Sequence, residues 1–236
     1  MAKKDVIITP TSDLFIASLW SAPKNEPILR SMLSGVMTDI GQPPVAKATV
    51  LNPFNIQEFS NDKEIRLDVH VEDELGARYD VEVQKETHDD FFERMLLYWG
   101  ETYCSQIHRG NKYSLLRPTR SIIITEFSVF PLLKQLHAVF ELRARENPAV
   151  LFSDHCQIHV LRLGDLLRNN LSGLDQFGLD LQRWFQLWVS YAPYDTANSG
   201  KKTGYKQNSA KTFFWFSRSI YGWNLGFFRD IATVMF

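Results

Sequence analysis

Apolar and polar residues alternate without a break from Ile65 to Val71, with Ile65, Leu67, Val69 and Val71 apolar and Arg66, Asp68 and His70 ionisable. That period of two predicts a strand with one buried face. Arg78 to Gln84 repeats the pattern, with Tyr79, Val81 and Val83 predicted inward. Between them lies the polar stretch Glu72 to Ala77, in which Gly76 supplies the positive φ that a tight hairpin turn needs. A pivot near Leu75 sets Asp68 opposite Glu82, with Gln84 one pleat further along the same face. Like charges facing one another across two strands destabilise a sheet unless something bridges them, and a divalent cation is the natural bridge.

Helical spacing dominates elsewhere. Thr11-Ser12-Asp13 offers cap residues ahead of the apolar run from Leu14 to Trp20. A second helix is predicted from Glu26 to Ile40, stopped by Gly41 and the Pro43-Pro44 pair, and a short strand from Val45 to Leu51. After the hairpin, Thr87 to Asp90 opens a helix that runs to about Arg109, with Phe91, Met95, Trp99 and Tyr103 as its core-facing stripe. Ser121 to Phe127 is almost continuously apolar, as expected for a central strand covered on both sides. Gln157 to Leu161 reads as a further strand, and Leu163 to Leu187 as helices punctuated by Gly173 and Gly178. The order of elements suits an α/β (α+β) mixed sheet flanked by helices.

Composition narrows the field. A chain of 236 residues with 44% hydrophobic and 22% charged residues holds one sizeable core with an appendage, or two small domains. The net charge of −1 gives no global basic field, so a polyanionic partner has to be held by a local patch or through metal ions. Two cysteines, Cys104 and Cys156, in helix-like and strand-like segments, read as buried, reduced thiols rather than a disulfide framework. The two lysines near the N-terminus are not followed by an apolar segment, and no stretch approaches the roughly 18 apolar residues of a membrane span. The expectation is a soluble, cytoplasmic protein.

An alternating polar face most often marks solvent exposure, so the acidic hairpin is by itself an ordinary surface. His70 shares that face with Asp68 but, as a lone histidine, reads as a bystander, and His155 and His159, four apart in a strand-like segment, do not form a helical metal pair. The order of residues changes the weighting: Asp13 at a first helix, Lys63 ahead of Leu67-Asp68-Val69, the Gly76 turn, Glu82-x-Gln84, Arg94-x-x-x-Tyr98, Gly110-x-x-Tyr113, and the strand Ile122 to Phe127. In this order and spacing the chain resembles the PD-(D/E)xK nuclease-family transposases, also called recombination-promoting nucleases, over about residues 11–165.

The resemblance implies a restriction-endonuclease-like fold and Mg²⁺- or Mn²⁺-dependent cleavage of DNA, in a prokaryotic mobile-element setting. It implies Asp68 and Glu82 as metal ligands, Gln84 in the place of the superfamily's usual lysine, and Asp13, Lys63, Arg94 and Tyr98 as possible supporting groups. Gln84 orients water but brings no positive charge, Lys85 is expected on the opposite face, and Lys63 is an odd number of residues from Asp68. A dimer is compatible with this reading. So are a catalytically weak relative that still binds DNA and an interaction module with a solvated hairpin. The expected organisation is a nuclease-like domain over residues 1–165, a helical extension over 166–196, and a polar linker with an aromatic-rich tail over 197–236. That tail departs from the family's acidic helices and reads as a shifted frame or degenerate end, or else as an interaction surface.

Overall fold

The computed structural model describes residues 16, 19, 20, 23–52, 68–169 and 172–190. Six strands form one sheet in the order β1-β2-β3-β4-β6-β5: β1 Ala48–Val50, β2 Val69–Asp73, β3 Arg78–Gln84, β4 Thr119–Thr125, β5 His137–Glu141 and β6 Cys156–Leu161. β1, β2 and β3 run antiparallel, β3, β4 and β6 are parallel, and β5 returns antiparallel to β6 at the far edge. Parallel neighbours need a crossover, and helix α2, Phe91–Cys104, supplies the one between β3 and β4.

The hairpin forms as its alternation predicts. Asp73 Oδ1 accepts hydrogen bonds from the N–H groups of Leu75 and Ala77, each 2.9 Å long. Gly76 takes φ +80, a conformation that a side chain would strain. The turn locks the register Val69↔Val81, His70↔Asp80 and Val71↔Tyr79. Val69, Val71, Tyr79 and Val81 are buried in the main core, where Ile122, Ile124 and Leu161 meet α1 (Glu26–Asp39), α3 (Leu163–Arg168) and α4 (Leu179–Ser190). The helical segment after residue 165 therefore shares its core with the sheet. On the other face α2 covers a smaller cluster through Phe91 and Met95, which pack with Ile123, Phe127 and Val160.

Several expectations hold in outline and shift in detail. α1 ends at Asp39, and β4 is the buried central strand anticipated, two residues earlier than its apolar run suggested. α2 stops at Cys104 rather than near Arg109. Its stripe is buried only at Phe91 and Met95, while Trp99 stacks on Tyr103 at 5.2 Å and donates its indole N–H to Thr119 O. Cys104 is exposed, contrary to expectation, and Cys156 is buried. β5 escaped notice because His137-Ala138-Val139-Phe140-Glu141 is short and its apolar residues do not alternate with polar ones. His159 does lie in a strand, fully buried, and its Nδ1 is 3.0 Å from His137 Nε2, while His137 Nδ1 is 2.7 Å from Asp39 Oδ2. Burial and the neighbouring His137 and Arg120 hold the His159 pKa well below the usual histidine range, so the ring stays neutral inside the core. The aromatic tail expected over residues 197–236 lies outside the described residues.

α3 approaches the chain leaving β4 closely at Gly164, where a Cβ would meet Glu126 O at 2.2 Å and Glu126 C at 2.4 Å. Gly164→Ala is expected to destabilise the fold by about 2 kcal/mol or more, because backbone rather than a pliable side chain has to move. Gly100 in α2 has nothing within 4 Å of its would-be Cβ, so Gly100→Ala is expected to stabilise by about 0.5–1 kcal/mol. Urea unfolding of the two variants checks the pair, and equal midpoints would contradict the packing argument.

Candidate metal centre

The polar face of the hairpin is only partly open, because α2 packs beside it. Asp80 and Gln84 are only 3% and 7% exposed. Burying a carboxylate this deeply is costly unless a partner compensates it. A cleft of about 400 Å³ runs between β2 and α2, with Asp68, His70, Tyr98 and Glu101 among its walls.

Asp68 sits immediately before β2 with its side chain 36% exposed. Its backbone is clamped by Asn52, whose Nδ2 donates to Asp68 O while its Oδ1 accepts from the His70 N–H, both at 2.8 Å. The β2–β3 register, continued by one residue, brings Asp68 level with Glu82. The imidazole of His70 meets Asp68, with Nε2 2.9 Å from Asp68 Oδ2, and the same ring presents Nδ1 to Asp80 Oδ1 at 3.8 Å. Asp68, His70 and Asp80 thus offer donor atoms all within 4.8 Å of one another. Further along β3, Gln84 Nε2 donates to Glu82 Oε1, tying the amide to the carboxylate two residues before it. Arg94 Nε donates to Tyr98 OH at 3.2 Å across one turn of α2.

The electrostatics follow from this crowding. Burial pushes the Asp80 carboxyl up to about 6, with the charges of Asp68 and Glu101 adding to the shift and His70 opposing it. The hydrogen bond that the His70 ring makes to the Asp68 carboxylate raises its pKa, against burial, with help from the charges of Asp80, Asp68 and Glu101. Arg94 is held more firmly charged, first by Tyr98 and then by the carboxylates of Glu82 and Asp90. Burial dominates the shift of Asp80, the Tyr98 hydrogen bond that of Arg94, and the Asp68 carboxylate that of His70, with neighbouring negative charge contributing to each.

The donors fit a divalent cation. Asp80 Oδ1 is buried and has no hydrogen-bond partner among the described residues, and neither does Ser121 Oγ on the neighbouring strand position. An orphaned buried acceptor costs on the order of 1–3 kcal/mol, more when charged, and a cation would meet that need. Oxygen donors from carboxylates suit hard ions.

The sequence-predicted residues divide into groups. Glu82 and Gln84 are joined by a hydrogen bond, Asp68 stands with His70 and Asp80, and Arg94 pairs with Tyr98 within the field of Glu82. Asp13 and Lys63 lie outside the described residues. Sequence reasoning passed over Asp80 and Asn52. The pivot that sets Asp68 against Glu82 equally sets His70 against Asp80, so Asp80 was within reach; Asn52 acts through backbone contacts across β1 and β2 that local pattern does not carry.

A family model for PD-(D/E)XK nuclease family transposases matches residues 10–208. The chain belongs to that family. Its six-stranded mixed sheet flanked by helices is the restriction-endonuclease-like arrangement of such nucleases. No curated protein and no solved structure matches the chain.

Asp80 gives this nuclease-family chain a definite pH signature. Folded Asp80 keeps its proton to about pH 6, whereas the unfolded chain loses it near 3.8, so the folded state binds the extra proton between those values. The contribution to stability is therefore largest below 3.8 and is lost as pH rises through about 6. His70 acts in the same direction at higher pH, its contribution complete below 6.5 and lost as pH passes its raised folded value. Without added metal, Asp80→Asn is expected to remove up to about 3 kcal/mol of the pH 4–6 decline in urea-unfolding stability. A slope unchanged by Asp80→Asn would contradict the assignment.

Proposed function

We propose that this chain is a metal-dependent DNA endonuclease that hydrolyses phosphodiester bonds, with Asp68 and Glu82 as ligands of Mg²⁺ or Mn²⁺ and Gln84 positioning the attacking water. Family membership supports the nuclease class. The observation that carries the assignment of residues is the β2–β3 register, which sets Asp68 level with Glu82 on the face that α2 covers.

A divalent ion held there would supply charge neutralisation at the scissile phosphate and lower the pKa of the attacking water. The chain's own groups do the rest. Gln84, hydrogen-bonded to Glu82, fixes that carboxylate and presents the remainder of its amide to the nucleophilic water. The water oxygen forms the new bond to phosphorus and sheds a proton to solvent, the bond to the leaving sugar oxygen breaks, and that oxygen takes up a proton from solvent. Gln84 adds no positive charge to the transition state. Arg94, anchored by Tyr98 and drawn toward Glu82, is the cation best placed to contact a phosphate oxygen. α2 narrows access of bulk water to the cleft, which strengthens every charge interaction inside it.

The amide at position 84 is also the one feature that favours a second reading, a weak or inactive relative that still binds DNA. Strand transfer is not part of the proposal, since these residues account for hydrolysis alone. The proposed setting is the cytoplasm of a cell carrying mobile elements; among the described residues no helix is long and apolar enough to cross a membrane.

Purified protein with supercoiled plasmid and Mg²⁺ tests the proposal. Nicking is expected in wild type, with a fall of about 100-fold or more in Asp68→Asn and Glu82→Gln and a smaller loss in Gln84→Ala. Absence of nicking, or equal nicking by Asp68→Asn, would overturn the enzyme. Retained DNA binding without nicking would favour the inactive relative, and neither activity would favour an interaction module.

A further inference from the structure

We propose that Asp68, His70 and Asp80 form a nitrogen-containing cation site that selects a first-row transition ion, Mn²⁺ in particular, over Mg²⁺. The inference rests on the reading of Asp68 as a metal ligand and adds to it a ligand set absent from the Asp68–Glu82 pair.

Two donors to one ion stand no further apart than twice a metal–ligand bond of roughly 2.0–2.4 Å. The three residues meet that limit, with donor atoms all within 4.8 Å of one another. The imidazole of His70 stands between the two carboxylates, with Nε2 2.9 Å from Asp68 Oδ2 and Nδ1 3.8 Å from Asp80 Oδ1. That separation is too long for a hydrogen bond and suits two donors to one ion. Asp80 is the second, independent observation. Its side chain is 4% exposed, and its Oδ1 is buried, faces His70 and has no hydrogen-bond partner among the described residues.

The position of the set is fixed by the fold. His70 and Asp80 are a register pair of the hairpin, and Asn52 clamps the backbone on both sides of Val69, so the three donors are held before any ion arrives. Glu101 on α2 faces them across the cleft and adds negative charge. Nitrogen in the set decides which ion gains. Mg²⁺ demands oxygen ligands and dehydrates reluctantly, whereas imidazole suits transition ions and Mn²⁺ accepts carboxylate and imidazole together. The histidine set aside as a bystander becomes the selecting ligand.

The test is Mn²⁺ binding to the full chain, read by calorimetry and by pulsed electron paramagnetic resonance. Mn²⁺ is expected to bind about tenfold or more tightly than Mg²⁺, and the bound ion is expected to show imidazole ¹⁴N coupling. Growth with ¹⁵N-histidine should change that coupling in otherwise unaltered protein, which keeps the test decisive even if variants fold poorly. His70→Gln is expected to abolish the nitrogen signal and bring Mn²⁺ and Mg²⁺ affinities together, and Asp80→Asn to weaken Mn²⁺ about tenfold or more. Mn²⁺ bound without nitrogen coupling, or Mn²⁺ no tighter than Mg²⁺, would overturn the site. Plasmid nicking in Mg²⁺ alongside that result would leave the endonuclease standing, whereas nitrogen coupling without nicking would do the reverse.

Discussion

The pairing of β2 with β3 is the constraint on which the rest of this structure depends. Side chains alternate across a strand with a period of two, so a slip of one residue in β2 would turn Asp68 and His70 into the main core and Val69 and Val71 out of it. Such a slip is opposed from both ends of the hairpin. At the turn, Asp73 accepts two backbone N–H groups and Gly76 adopts the left-handed conformation. At the open end, Asn52 holds Asp68 and His70 by their backbones. The strand is thus pinned where the chemistry is most sensitive to its position.

The same pairing sets up a conflict that shapes the site. Hydrophobic burial against α1, α3 and α4 supplies the large core on one face, while α2 on the other covers a mixture of apolar and acidic groups. Packing of Phe91 and Met95 onto Ile123 and Val160 brings α2 down over one half of the sheet. The other half carries Asp80, Gln84, Ser121 and Thr125, all buried, with orphaned oxygens on Asp80, Ser121 and Thr125. Unpaired buried acceptors are costly, and proteins retain them where something outside the chain meets the need. A helix roof over acidic strands concentrates negative charge in a region of reduced solvent screening. The raised pKa values of Asp80 and His70 are two expressions of that one fact.

Much of this was legible in the residues, for identifiable reasons. The hairpin, its pivot and its buried face came from alternation; α1 and the start of α2 came from helical spacing; the central position of β4 came from Ile122-Ile123-Ile124. The register placed Asp68 against Glu82, and the ordered motifs named the family that the chain belongs to. What escaped was carried by distance in sequence. β5 is a five-residue edge strand with no periodic signature, and Asn52 does its work across two strands. His159 reads as an isolated residue until its ring is seen against His137 and, through it, Asp39.

The sequence by itself determined which residues share the polar face of the hairpin, because a period of two and a turn pivot are local properties of the chain. Only the tertiary structure decided that Asp80 and Gln84 on this face are buried, since the covering helix arrives through the β3-to-β4 crossover and its packing is a matter of contacts far apart in sequence. That difference separates a solvated acidic strand from a candidate metal centre. Alternation makes Asp68, His70 and Asp80 neighbours; the packing around them buries the Asp80 carboxylate, and burial of a charge is what sets this group apart from a solvated acidic strand.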